Sequence, residues 1–192
     1  MSEGVVTTFR VDDASTIEQL WAVYHGAFSA DAGLCIQDQQ CYDRDAFISA
    51  MLDAEYVKII LLEAGEAVAF CMGTNNLEKA RIAYLNPVRL KALYPDEARA
   101  GAIWYMTSFA VRNDLRRTGR SETVLHHLAA FAAGRDAIIA FDFASDKMPG
   151  FAEYVVKKFL QGRGLLGLAF DDAEYAPLGG QTYGAVRFVK KQ

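Results

Sequence analysis

Residues 102–133, AIWYMTSFAVRNDLRRTGRSETVLHHLAAFAA, decide how this chain folds. The segment Ala102 to Val111 is rich in aromatic and β-branched residues at alternate and adjacent positions, as expected of a central strand covered on both faces. From Ser121 to Ala133, Val124, Leu128 and Phe131 recur on one stripe with Leu125 and Ala132 beside it, which predicts an amphipathic helix. Between the two stands Arg116-Arg117-Thr118-Gly119-Arg120-Ser121, a short, basic, glycine-bearing turn. A strand that runs through a tight turn into a helix aims several backbone N–H groups at one spot, with the positive end of the helix dipole behind them. The turn therefore reads as a seat for an anion such as a phosphate, against the plainer alternative of a solvated basic surface turn.

The flanking sequence supplies the rest of an α/β pattern. Val5 to Val11 reads as a first strand. Ser15-Thr-Ile-Glu18 reads as a capping box opening a helix with Ile17, Leu20, Tyr24, Ala27 and Phe28 inward and Trp21 widening that face. Ser29 to Tyr42 reads as a loop and about Asp43 to Ala54 as a second helix. Tyr56 to Leu62 and Ala67 to Gly73 are predicted strands, joined at Glu63-Ala-Gly-Glu66 by a tight turn built on Gly65. Thr74 to Gly101 is a long link in which Asn86-Pro87 starts a short helix, Pro87 to Leu93. After the motif helix come a buried strand, Ala137 to Ala144, and a helix, Phe151 to Leu160. A last strand pair, Leu165 to Phe170 and Gln181 to Val189, carries the Pro177 to Gly180 turn between its members. No repeat, low-complexity tract or linker divides the chain, so residues 1–192 read as one domain.

Composition sets outer limits. A chain of 192 residues is long enough to bury a core without disulfides or metals. Its formal net charge is -4, and its basic residues are scattered, so neither a nucleic-acid partner nor a membrane is expected. Met1-Ser2-Glu3-Gly4 has no basic flank followed by an apolar run, and Lys58, Glu63 and Glu66 interrupt the long apolar stretches, which predicts neither signal peptide nor membrane span. The three cysteines, Cys35, Cys41 and Cys71, have no Cys-x-x-Cys pair, so a reducing cytoplasm is the expected location. Cys71 reads as a core residue, and Cys35 and Cys41 as plain loop thiols. His126 and His127 are adjacent and point apart on a helix, so they cannot form a two-ligand metal face, and no metal is expected.

In the turn, Val111 is followed by Arg116 five residues on, by Gly119 three further and by the small Ser121 two after that. This spacing resembles the acetyl-coenzyme A signature of the GNAT acetyltransferase superfamily, Val-x-x-x-x-(Gln/Arg)-x-x-Gly-x-(Gly/Ala). The predicted element order matches that family's layout across nearly the whole chain, with the turn after the fourth strand. The resemblance implies a single mixed α/β domain, a mostly antiparallel central sheet flanked by helices and splayed between the fourth and fifth strands. It implies acetyl-CoA as cosubstrate, its pyrophosphate held by backbone amides of Arg116, Arg117, Thr118, Gly119, Arg120 and Ser121. The strand end at Phe109, Ala110 and Val111 would pair with the pantetheine arm and polarise the thioester carbonyl. Two departures stand out: Ser121 replaces Gly or Ala, where its hydroxyl can cap the helix, and Arg120 stands at a usually apolar position, where it can add charge beside the phosphates.

Acyl transfer to an amine needs an acid for the leaving thiolate and a base for the amine. Family members often use a tyrosine on the helix after the fifth strand, and Tyr154 is its counterpart here. A phenol near pKa ~10 can protonate a thiolate of pKa ~8.5 at little cost. The family's Tyr-x-x-x-Gly-Phe appears as Tyr154-Val-Val-Lys-Lys-Phe159, without the glycine. Some members carry a glutamate base on the central strand about eleven residues before the motif's Gln or Arg, and that count reaches Tyr105. Asp142, between Phe141 and Phe143 in an apolar strand, is the alternative base, against a strand-end Asp facing solvent; Glu78 and Glu97 in the link are weaker options.

The activity so implied is an acetyl-CoA-dependent N-acetyltransferase acting on an amine of a small molecule or protein. Two alternatives stay open: a non-catalytic coenzyme A-binding module, and an acyltransferase of autoinducer-synthase type using longer acyl groups. The 74–101 link can cover the acceptor, form a contact in a homodimer or be a surface excursion.

Overall fold

The computed structural model describes residues 4–29, 41–80, 87–144, 168–178 and 181–190. The helix expected at Phe151 to Leu160, with Tyr154, lies outside the described residues, as do Cys35 and most of the loop from Ser29 to Tyr42. Seven strands hydrogen-bond in the order β1-β2-β3-β4-β5-β7-β6. They are β1 (Gly4–Thr8), β2 (Tyr56–Glu63), β3 (Glu66–Thr74), β4 (Ile103–Val111), β5 (Ile138–Ala144), β6 (Leu168–Leu178) and β7 (Gln181–Lys190). The helices are α1 (Ala14–Ser29), α2 (Arg44–Leu52), α3 (Pro87–Leu93), α4 (Pro95–Ala100) and α5 (Arg120–Ala133). The β1/β2, β2/β3, β5/β7 and β6/β7 pairs are antiparallel and the β4/β5 pair is parallel, which makes this a mixed α/β fold. The β4/β5 ladder covers only Ile103↔Ile138, Trp104↔Ile139 and Tyr105↔Ala140, although both strands run on beyond it. The backbone sorts into two compact units, Met1–Pro87 with Thr107–His127, and Val88–Met106 with Leu128–Gln192; β4 and α5 contribute to both.

In the first unit, β2 and β3 are buried almost end to end. The aromatic ring of Phe47, fully buried on α2, centres the core, with Trp21, Tyr24 and Phe70 at centroid distances of 5.5, 5.1 and 5.8 Å. The turn between β2 and β3 is a two-residue hairpin in which Ala64 (φ 54) and Gly65 (φ 86) both take positive φ, the handedness that matches strand twist.

Two local expectations are corrected at the start of the chain. β1 ends at Thr8 and not Val11, because the Thr8 hydroxyl binds the backbone of Arg10, donating to its carbonyl at 2.7 Å and accepting its N–H at 3.2 Å. The α1 cap is Asp13 and not Ser15: its carboxylate accepts the Thr16 N–H and hydroxyl, both at 2.7 Å, and these bonds hold the Asp13 carboxyl below its usual pKa.

Lys58 does more than interrupt an apolar run. It is fully buried on β2, and its ammonium donates to the carbonyls of Phe9 at 2.9 Å and Asp53 at 2.6 Å. Burial pushes its pKa from 10.5 down to about 8. Between these values the unfolded chain binds a proton that the folded one does not, so this group's contribution to stability rises with pH. Tyr24 and Cys71, both pushed up to about 12 by burial, oppose that trend above about pH 9, where unfolded thiols and phenols ionise. The expected result is that the Tm of the native protein minus that of Lys58→Met becomes more positive from pH 8 to 9, read by calorimetry.

In the second unit, α4 is a helix the sequence reading passed over, although Pro95 at its first turn and Gly101 (φ 64) at its end are ordinary signals. Trp104 on β4 packs edge-on against Phe131 on α5, centroids 5.0 Å apart. Strand β6 extends from Leu168 to Leu178, so Pro177, expected in a turn, lies in the strand opposite Thr182. A proline is tolerated there because β6 is an edge strand. The expected loop thiol at Cys41 is also corrected: Cys41 is disulfide-bonded, so thiol usage no longer argues for a reducing compartment, whereas Cys71 is free and buried as expected.

Candidate active site

β4 delivers the chain through Arg112 and a short 3-10 turn, Asn113–Leu115, to the basic turn. Two residues there take positive φ, Arg117 at 64° and Gly119 at 89°. A Cβ built on Gly119 meets nothing within 4 Å, so glycine is required by backbone conformation and not by crowding. Arg117 adopts the same half of conformational space with a side chain, at a cost of about 1–2 kcal/mol. Strain of that kind persists where the surrounding structure enforces it, and it is concentrated at binding sites.

The helix starts one residue earlier than expected. The Gly119 carbonyl accepts the Thr123 N–H at 3.1 Å, and α5 begins at Arg120. Ser121 therefore sits inside the first turn and is not the cap, because Gly119 already closes the first helical hydrogen bond.

Side chains around the turn divide by partner. Arg120 grips Glu63 at the end of β2 through two bonds, Nε–Oε1 at 2.6 Å and Nη2–Oε2 at 3.2 Å. These bonds hold the Glu63 carboxyl below its usual range. Arg120, read as added charge for the phosphates, thus has its guanidinium engaged with Glu63. Arg112 bonds Asp114 at 2.8 Å and Glu66 at 3.3 Å, and Arg116 donates to the Ala27 carbonyl at 3.2 Å, while Asn113 donates to that of Gly26 at 2.8 Å. The Thr118 hydroxyl turns back to the Leu115 carbonyl. Among the described residues, Arg117 alone of the arginines from 112 to 120 has no side-chain partner, and no acceptor meets the N–H of Arg117, Thr118 or Gly119. An exposed arginine beside unsatisfied amides at a helix start is a donor set suited to a pyrophosphate.

Upstream on β4, Ala110 and Val111 are buried and Phe109 half-buried. In the second unit the structure joins two residues that the sequence reading had treated separately. Tyr105, fully buried on β4, donates its hydroxyl to Asp142 Oδ1 on β5. Asp142 is half-buried and lies opposite Tyr183 in the β5/β7 register. Glu97, the weaker base option, is paired with Arg187, whose hydrogen bond holds its carboxyl below the usual range. His127 Nδ1 lies 2.9 Å from the Thr123 carbonyl within its own helix. Among the described residues no group of three or more His, Cys, Asp or Glu side chains could hold a metal, and no helix is long and apolar enough to cross a membrane. A cavity of about 140 Å³ beside Tyr42, Ser49 and Tyr56 is smaller than ligand pockets, which span about 300–1,000 Å³. The Lys79 ammonium at its edge is paired with Asp53 and Glu55.

The fold is that of the GNAT N-acetyltransferases, a class of acyltransferases that shares this mixed sheet with a parallel β4/β5 pair. Three solved structures illustrate the likeness. The ribosomal-protein-S18-alanine N-acetyltransferase from Escherichia coli aligns with a TM-score of 0.58 at 12% identity, covering 100% of this chain and 97% of that one. The PaiA N-acetyltransferase from Thermoplasma acidophilum, in complex with coenzyme A, aligns at 0.57 and 9% identity over 97% and 99%. BjaI, a CoA-dependent acyl-homoserine lactone synthase, aligns at 0.59 and 13% identity over 97% and 83%. No family model matches the sequence, and no curated protein does either.

Proposed function

We propose that this chain is an acetyl-CoA-dependent N-acetyltransferase that moves an acetyl group to an amine of a small molecule or a protein. The observation that carries the proposal is the turn between β4 and α5, where positive φ at Arg117 and Gly119 accompanies open amides and an unpartnered guanidinium. In this reading the amides from Arg117 to Ser121 and the Arg117 side chain hold the pyrophosphate, the Arg116 N–H expected to join them being taken by the Asn113 carbonyl at 3.4 Å, and the backbone of Phe109 to Val111 holds the pantetheine arm and thioester carbonyl. Asp142 takes a proton from the acceptor ammonium. The freed nitrogen attacks the thioester carbon, the C–N bond forms as the C–S bond breaks, the leaving thiolate takes a proton from Tyr154, its candidate acid, and the second proton that nitrogen sheds on becoming an amide restores the phenol. The fold's occurrence with coenzyme A in the PaiA structure supports the donor half of the reading.

The direct test is release of free thiol from acetyl-CoA by the purified protein across a panel of small and peptide amines. Coenzyme A binding without turnover on a broad panel would favour a non-catalytic module instead. A second reading, transfer of longer acyl groups, is supported by the fold likeness to BjaI, a structure of which contains SAM and isopentyl-CoA. A series of acyl-CoA thioesters of increasing length, with amines or SAM as acceptor, separates the two.

Arg117→Ala is expected to raise the Kd for coenzyme A about tenfold, the effect of one charge-assisted hydrogen bond at a partly solvated site. Alanine keeps the strained φ, so Tm should hold within experimental error. Calorimetric titration and melting on the same sample check both halves.

A further inference from the structure

We infer that Glu63 is a positioning residue for the donor site, acting through Arg120 to keep the Gly119 N–H turned toward the coenzyme pyrophosphate; the inference rests on the coenzyme A reading above. The need for such a device follows from glycine itself. Gly119 is the N-cap of α5, since its carbonyl accepts the Thr123 N–H at 3.1 Å, and a cap residue ordinarily takes an extended conformation with negative φ. Gly119 stands instead at φ +89. With no Cβ it reaches the ordinary cap conformation about as readily, and a flip of the peptide between Thr118 and Gly119 carries it there. A trans peptide is planar, with its C=O and N–H pointing opposite ways. The flip would therefore withdraw a donor from the phosphate seat and present a carbonyl oxygen to the anion in its place. Crowding does not choose between the two orientations, because nothing lies within 4 Å of a Cβ built on Gly119.

The Arg120 guanidinium makes that choice. Its Nη1 donates to the Thr118 carbonyl at 3.2 Å, while Nε and Nη2 donate to the two carboxylate oxygens of Glu63 at 2.6 and 3.2 Å. The planar fork thus ties the carbonyl of the critical peptide to the end of β2, where Glu63 sits. The Gly119 N–H is left facing away from that pair, and among the described residues no acceptor meets it. Glu63 and Arg120 are both half-buried, so the fork is less open to competing water than a fully exposed ion pair. Helix stability does not account for an arginine here, because a cation in the first turn faces the positive end of the dipole. The Glu63 carboxylate offsets that penalty. Arg120 therefore serves the coenzyme by fixing a backbone donor, and Glu63, which touches no part of the coenzyme in this reading, sets where Arg120 points.

The test is a double-mutant cycle in the Kd for coenzyme A, measured by calorimetric titration on the full chain with Glu63→Ala, Arg120→Ala and both together. Removing a carboxylate near an anion site should, by charge alone, tighten binding of the anion. The sign of the effect is therefore decisive. Glu63→Ala is expected to raise Kd about fivefold, within the range of one lost hydrogen bond. In the Arg120→Ala background there is no fork to hold, so the same replacement should leave Kd unchanged or lower it. Tighter binding by Glu63→Ala alone overturns the inference, since Glu63 would then only restrain Arg120 from reaching the phosphates. Equal weakening in both backgrounds, or a fall in Tm with Kd unchanged, overturns it as well. If Glu63→Ala yields no folded protein, Glu63→Gln, which keeps one acceptor oxygen for the fork, is read in the same cycle. Its expected result is a rise in Kd of about threefold with Arg120 present and none without it. Failure of the native protein to bind coenzyme A overturns the donor reading and this inference with it, whereas binding without the coupling overturns the inference alone.

Discussion

Asp142→Asn is expected to lower kcat for acetyl transfer about 100- to 1000-fold, within the range that a positioned general base contributes. The replacement is close to isosteric, and the Asn carbonyl can still accept the Tyr105 hydroxyl that meets Asp142 Oδ1. What is lost is the capacity to take up a proton. Donor binding should be untouched, so the Kd for coenzyme A is expected to stay within about twofold, as for any change that removes an interaction made only in the transition state. Stopped-time thiol release and calorimetric titration measure the two quantities separately. A variant that turns over at the native rate would remove Asp142 from the mechanism and leave a water chain or the acceptor's own neutral fraction to supply the free amine.

The second large effect belongs to the turn. Gly119→Val should cost about 2 kcal/mol in stability, because a β-branched residue at φ +89 is strained even though nothing crowds the position. For a chain of this size that is a fall in Tm of about 4–8 °C. The same change should raise the Kd for coenzyme A more than about tenfold, since relief of the strain rotates the amides of Arg117 to Gly119 away from their common target. Gly101 provides a matched control: it also has positive φ, 64°, but closes α4. Gly101→Val should lower Tm by a similar amount and leave coenzyme A binding unchanged. If both variants weaken binding equally, the effect is loss of folded protein, and the turn has no special part in holding the donor.

Much of the fold was legible because its determinants are local. The apolar run from Ile103 to Val111, the turn glycine and the Val124, Leu128, Phe131 stripe each act within a few residues. The β2/β3 hairpin was equally readable at Gly65, although Ala64 sharing the positive φ was not, since alanine carries no such signal. Errors arose where two local signals compete. Asp13 and Ser15 are both good caps, and the charged side chain wins by taking two donors from Thr16. Pro177 marks a turn in most contexts, and only the position of β6 at the sheet edge makes it a strand residue. In α4 the signals were present, but the helix is short and has no buried residue, so no apolar periodicity drew attention to it.

The candidate site divides the same way. By itself the sequence determined the strand, turn and helix that form an anion seat, because glycine's access to positive φ and the amphipathic period are properties of short stretches of chain. Which arginine keeps its guanidinium without a partner was decided by tertiary structure alone: Arg120 is taken by Glu63, 57 positions away, and Arg116 by the Ala27 carbonyl, 89 positions away. The union of Tyr105 with Asp142, 37 positions apart, is likewise a product of the β4/β5 register. Strand register is set by the packing of whole sheets, and a pairing of that kind leaves no trace in the spacing of the residues it joins.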